Sequence, residues 1–369
     1  MTVAAGVTAA RARGIKRYSA SLEDDIFAFQ RAAFPTRRED LVEPRWRWMF
    51  LSSAARLGVE PMVWMYCNAE GVVAQQGAIP VRVRVGDTER VTGWFVETMT
   101  LESVRGKAIG PMLVAKAIQD LPFNLSLGQT PQMRELQFSL GWRQVCPMDT
   151  WTFVLNASRV LAGKVPNRPA RAIAAAVLAA RQRGQYFRGR RRLNWVPEVR
   201  VLDRFDATHD RLWETVKAQF PCAVVRDSSY LNWKYVEQPG QDFIRVDIRR
   251  GGEPIAAAAL LVMEPDHAYG YRRGFIVDLV VPARDADITW VVLDEVRKLF
   301  LARSVDLVVF HVVSAPLTRA VESFGFLRRE PQRFFLIAPG DMPAPAVALA
   351  LGQENWLITM GDSDIDRPW

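Results

Sequence analysis

Residues 100–113, TLESVRGKAIGPML, hold the combination best suited to binding an anion. An alternating, strand-like run ends there, a turn of small and basic residues follows, and an apolar run with helical spacing begins. A junction of this kind sets the unsatisfied N–H groups of a helix start beside small residues, which is how a phosphate or pyrophosphate is cradled. The same letters also describe a basic turn on a surface. Other chemically capable residues are scattered. Cys67, Cys146 and Cys222 lie far apart with no CxxC pair, which reads as reduced thiols rather than a disulfide frame or a zinc site. His209, His267 and His311 lack metal-ligand spacing, so no metal is expected, and His311 at the end of an apolar strand reads as structural. Trp46, Trp48, Trp94 and Trp233 offer either stacking surfaces for a ring-shaped acceptor or core. Arg226, Asp227 and Tyr230 offer either a cleft lining or a helix cap. The closing acids Asp362, Asp364 and Asp366 alternate without EF-hand spacing.

These residues need a scaffold, and the composition supplies one. The chain has 369 residues, 49% apolar and 24% charged, which fits a folded protein long enough for two domains. No run of about 18 apolar residues occurs, and MTVAAGVTAARARGIKRYSA has no apolar core of a secretory signal, so a cytoplasmic location is expected. Charge is concentrated. Between Asp149 and Glu198 there is no acid, while ten Lys and Arg residues fall in SRVLAGKVPNRPARAIAAAVLAARQRGQYFRGRRRLNW; the net charge of +8 therefore leaves −2 for the remainder. This segment, 157–199, reads as an Ala-rich connector helix whose solvent face could touch anionic lipid or nucleic acid.

The chain repeats itself around that connector. RWRWMF near Trp48 has a counterpart in YLNWKY near Trp233; MVWMYCNAEGVVAQQGAIPV matches FIRVDIRRGGEPIAAAALLV; GWFVETMTL from Gly93 matches GFIVDLVVP from Gly274. TPQMRELQFSLGW then matches SAPLTRAVESFGF, and TWTFVL matches RFFLIA. Five matched segments in one order imply duplication of a single unit: helix, hairpin, central strand, helix, strand, helix, final strand. The expected fold class is α/β, with a mixed sheet flanked by helices in each half.

On these residues each half resembles a Gcn5-related N-acetyltransferase (GNAT) domain, and the whole resembles tandem-GNAT proteins, including polysaccharide-biosynthesis acyltransferases. The resemblance implies an N-terminal domain over 15–156, the connector over 157–199, a degenerate second domain over 200–340 and a C-terminal segment over 341–369. It also implies an acyl-CoA, most simply acetyl-CoA, as co-substrate. The family's Q/R-x-x-G-x-G/A signature falls on Arg105, Gly106, Lys107, Ala108, Ile109 and Gly110, followed by Pro111, with Ala108 where Gly is usual. By the same resemblance the backbone of Thr98, Met99 and Thr100 would pair with the pantetheine arm and polarise the thioester carbonyl. Glu97 stands where the family often has an acid, matched by Asp278 in the second half; it could accept the amine proton or hold loop N–H groups.

Other family parts are altered. Thr130 and Gln137 replace the usual Asn and the Tyr that serves as acid, and Ser314 and Val321 occupy the second-half positions. Asp285 and Asp287 put negative charge where the second domain would need a pyrophosphate site. The expected activity is acyl transfer to a primary amine, a small molecule or a glycan precursor. The alternatives are a tRNA-dependent aminoacyltransferase of the peptidoglycan-branching type and a non-catalytic GNAT-fold binding protein. Oligomeric state is not legible.

Overall fold

The computed structural model describes residues 13–189 and 195–366, so residues 190–192 of the basic segment and most of the N-terminal stretch lie outside it. Its strands, in chain order, are β1 (Gly14–Arg17), β2 (Val63–Asn68), β3 (Gly71–Val85), β4 (Thr88–Thr100), β5 (Asn124–Leu127), β6 (Arg143–Val154) and β7 (Glu198–Val201). There follow β8 (Cys222–Val224), β9 (Ile244–Arg250), β10 (Glu253–Met263), β11 (Arg273–Val280), β12 (Leu307–Val313), β13 (Leu327–Ala338) and β14 (Trp356–Thr359). Among the described residues these form one mixed sheet, ordered β1-β2-β3-β4-β5-β13-β6-β12-β11-β10-β9-β7, with β8 and β14 off this path. The α/β class read from the sequence is the class observed.

Local sequence explains the pairing. The hairpin β9–β10 turns on Gly251 and Gly252, both at positive φ, the conformation that a two-residue turn between right-twisted strands requires. Most neighbours are antiparallel, but β4 pairs parallel with β5 and β11 with β12, each after a helical crossover. The matched glycines have a packing reason: a Cβ on Gly93 would stand 2.7 Å from the Ala78 methyl, and one on Gly274 2.7 Å from the Phe300 ring.

The two halves interlock. The last strand of the leading half, β6, lies between β13 and β12 of the trailing half, and β13 inserts between β5 and β6. Trp48 and Trp233, matched in the repeat, stack at 4.8 Å between centroids with 12° between planes. Each indole also donates to the other's backbone: Trp48 Nε1 to Trp233 O at 2.8 Å, and Trp233 Nε1 to Trp48 O at 3.2 Å. Such reciprocal bonding marks a local two-fold relation between the matched segments.

The core divides around the leading sheet. The helix Ile109–Asp120 buries Ile109, Leu113, Val114 and Ala117 against Trp64, Ala74 and Phe95 on one face. Helices Glu23–Ala33 and Glu39–Arg47 cover the other, where Trp46, Phe50 and Trp94 are buried. Trp46, Trp48, Trp94 and Trp233 are core residues, at most 3% exposed, and none is offered to an acceptor.

Candidate active site

The site begins where β4 and β5 part. They are paired over Gly93–Phe95 with Asn124–Ser126 and no further. Beyond Phe95, β4 remains paired with β3 on one side, through Gln75 with Met99 and Ala74 with Thr100. Its other edge has no strand partner among the described residues. Thr98, Met99 and Thr100 therefore present an open backbone edge, the geometry that accepts an extended ligand as an added strand.

A bulge sits at the mouth of this gap. Between the pairs Gly77–Val96 and Gln75–Met99, β4 carries one residue more than β3, and Glu97 takes φ 53°. By simple alternation Glu97 would share the face of Phe95; the left-handed residue turns it to the face of Trp94. There its carboxylate meets Arg37 at 2.7 Å, with both side chains at most 5% exposed, and accepts from Gln75 Nε2 at 3.4 Å. Arg37 also donates to Gln30 Oε1 at 2.8 Å.

The basic turn forms the gap's far end. Leu101 leads into a short 3-10 turn over Glu102–Val104, and then Arg105, Gly106, Lys107 and Ala108 are all exposed. Gly106 has φ 79° and Ala108, the N-cap of helix Ile109–Asp120, has φ 56°. Residues 106–110 thus curl ahead of a helix axis. Among the described residues no acceptor meets their N–H groups. The position where the family usually has Gly is left-handed, which explains the preference, and Ala108 there costs roughly 1–2 kcal/mol. Gly110 stands against Thr100, with 3.4 Å from a Cβ built on it to Thr100 Oγ1. Ile109 contributes its amide only, since its side chain is core, and Pro111 contributes none.

Between the strands lies a cavity of 190 Å³, walled by Phe34, Glu97, Thr98, Ser126, Gln137 and Asp364 among others. Ser126 Oγ accepts from Gln129 Nε2 at 2.7 Å and from Gln137 Nε2 at 2.9 Å. With its oxygen so occupied, the hydroxyl proton is directed elsewhere. Gln129 Oε1 and Gln137 Oε1 are buried and find no partner among the described residues. Lining the cavity, these two oxygens offer acceptors to a bound group. Thr130 caps the helix Pro131–Ser139 by accepting from Met133 N at 3.2 Å.

No protein-family model and no curated protein matches the sequence. Solved structures do match by shape. A probable N-acyltransferase from Enterococcus faecalis V583 superposes with TM-score 0.63 at 9% identity, over 90% of this chain and 73% of that one. A GCN5-related N-acetyltransferase from Anabaena variabilis ATCC 29413 gives 0.59 at 12%, over 88% and 72%. The N-myristoyltransferase of Saccharomyces cerevisiae, solved with bound myristoyl-CoA, gives 0.55 at 12%, over 87% and 80%. The fold is GNAT-like. At such identity the likeness concerns architecture, and the chemistry rests on this chain's own residues.

The second half shows a similar parting of strands, but it is filled. β11 and β12 pair over Arg273–Ile276 with Leu307–Phe310, after which β14 lies against β12, joining Val312 to Thr359 and Val313 to Ile358. The helix start that would face a phosphate is capped internally: Asp285 accepts from the amides of Asp287 and Ile288, both at 3.0 Å. Asp278, the match of Glu97, is enclosed by Arg226 Nε at 3.1 Å, Tyr235 O–H at 2.8 Å and Thr359 Oγ1 at 2.9 Å.

The remaining singled-out residues fall into place around this filled gap. Arg226 is fully buried between Asp278 and Asp362; burial opposes its charge, but the two carboxylates outweigh that and its pKa lies above the ordinary value. Asp227 caps its helix by accepting from Tyr230 N at 2.8 Å, and Tyr230 is core. Of the tail acids, Asp362 meets Arg226 and Asp366 meets Lys234 at 3.1 Å. Asp364, between them, reaches the leading cavity. His311 bonds Thr150 Oγ1 at 2.9 Å. The three cysteines are buried, and burial pushes the thiols of Cys146 and Cys222 up to about 12, which leaves them unreactive. Arg37, Ser126 and Gln129 had no visible signal in the sequence; Asp364 had one, the alternation of the tail acids, but not its destination.

Proposed function

We propose that the chain is an N-acyltransferase that moves an acyl group, most simply acetyl, from acyl-CoA to a primary amine. One observation carries this reading: of two similar strand partings, the leading one is open and lined by donors while the trailing one is occupied by β14 and by Asp285. The amides of residues 106–110 suit a pyrophosphate, with Arg105 and Lys107 exposed beside them. The free edge of Thr98–Thr100 suits the pantetheine arm. The fold-level likeness to acyltransferases agrees with this assignment.

The chemistry follows from the cavity's inventory. An incoming amine attacks the thioester carbon, the C–N bond forms as C–S breaks, and the amine must lose a proton. We assign proton acceptance to Asp364, which lines the cavity, and an anchoring role to Glu97, whose carboxylate meets Arg37 at 2.7 Å and Gln75 Nε2 at 3.4 Å. A β4 amide polarises the carbonyl, and the Ser126 O–H stabilises the departing sulfur in place of the family's Tyr. The amine belongs to a small molecule or a glycan precursor, the classes that fit a small, polar cavity.

The test is direct. Millimolar acetyl-CoA should raise the melting temperature of the wild type and not of Gly110→Asp, which sets a carboxylate at the helix start. Asp364→Asn should keep that shift and lose about 10²-fold or more in kcat across an amine panel. A wild type that ignores acetyl-CoA yet binds tRNA in a salt-sensitive way would replace this reading with aminoacyl transfer. Full turnover in Asp364→Asn would remove the assigned base.

A further inference from the structure

The connector helix Arg168–Gly189 is packed through one side only. On that side Ala175 and Gln182 are buried, Gln182 Nε2 donates to Gly325 O at 3.3 Å, and Tyr186 O–H donates to Asp294 at 3.0 Å. An ordinary surface helix would turn polar on the other side. This one does not. Ile173, Val177, Ala180, Gly184 and Phe187 fall on a single stripe, because at about 100° per residue their spacings return to one direction. Ile173, Val177 and Phe187 are 67%, 65% and 61% exposed, although they are the bulkiest apolar residues of that stripe.

The margins of the stripe are cationic. Arg181 and Arg188 lie along one edge and Arg183 along the other, all three exposed. No acid interrupts the sequence from Asp149 to Glu198. Phe187 and Arg183 also rim a cavity of 370 Å³ that reaches Phe153 and Leu301, so the apolar surface continues past the helix itself.

We propose that this face docks on an anionic lipid surface, with the helix lying in the interface plane. Ile173, Val177 and Phe187 would enter the acyl boundary while the flanking arginines meet headgroup phosphates. Charge selects this occupant over two others. A second copy joined through the same face would set its arginines against their own counterparts. A nucleic acid would satisfy the arginines and leave the apolar stripe in contact with phosphate and water. None of the described helices is long and apolar enough to cross a membrane, so the contact is peripheral. The inference is independent of acyl transfer.

Sedimentation of the full chain with phosphatidylcholine vesicles, with and without phosphatidylglycerol, tests it. Binding is expected only with phosphatidylglycerol, falling as salt rises. The double variant Ile173→Glu, Val177→Glu should bind at least ~10-fold more weakly at an unchanged melting temperature, and Arg181→Glu, Arg183→Glu should weaken binding in parallel. No binding to the anionic vesicles overturns the proposal, as does equal binding by the Ile173, Val177 variant. So does a wild-type dimer that this variant converts to monomer, or preferential binding to RNA that it leaves intact.

Discussion

At the scale of single residues, two left-handed positions shape the leading gap. Glu97 and Ala108 both take positive φ without being glycine, an arrangement that costs energy and persists where surroundings impose it. For Glu97 the compensation is visible in the buried pair with Arg37. A different residue contributes to behaviour in acid. His311 is pushed down to about 3, by burial first and by the nearby Arg333 cation second. Its folded pKa lies below the unfolded value of about 6.5, so the native state gains from its neutrality above pH 6.5 and loses that gain as pH falls toward 3. Between pH 6.5 and 5 the loss should reach about 2 kcal/mol, at roughly 1.4 kcal/mol per pH unit. His311→Asn, which can still bond Thr150, should flatten this part of the stability–pH curve measured by urea unfolding. An unchanged slope would mean that other groups carry it.

At the scale of elements, the contrast between the two strand partings depends on the C-terminal tail. β14 pairs parallel with β8 and antiparallel with β12, so one short strand both fills the trailing gap and reaches the leading half, since β8 in turn pairs with β3. Just after it, the 3-10 turn Met360–Asp362 and the residues beyond neutralise Arg226 and Lys234, which are fully buried. Removing residues 360–369 would strand Lys234 in the interior and leave Arg226 with Asp278 alone. Loss of one partner of a buried pair typically costs about 3–5 kcal/mol. The truncated chain should therefore show a much lower urea midpoint, or fail to fold at all. Near-wild-type stability would show that the tail is dispensable and that Asp364 can be studied by deletion.

For the whole molecule, interlocking matters more than repetition. Because β6 lies within the trailing half's pairing and β13 within the leading half's, neither half closes its own sheet. Residues 1–156 expressed alone would expose both the free edge of β5 and an unpartnered β6. They should be insoluble or lack cooperative unfolding, and co-expression with residues 157–369 should restore a single complex on size exclusion. A leading half that unfolds cooperatively by itself would contradict this.

The sequence by itself determined what is local or periodic. It determined the hairpin turns at Gly-rich pairs, the caps at Thr130, Asp227, Asp285 and Ser314, the basic helix start at Arg105–Gly110, and the mixed α/β class. Caps and turns are legible because their partners lie two or three residues away. Only the tertiary structure decided which gap stays open, that Glu97 answers Arg37, that Gln137 supports Ser126, and that Asp364 arrives at the cavity from the far end of the chain. Those outcomes depend on strand exchange, on a bulge that reverses one side chain, and on contacts between residues 11 or more positions apart, for which neither spacing nor propensity leaves a trace.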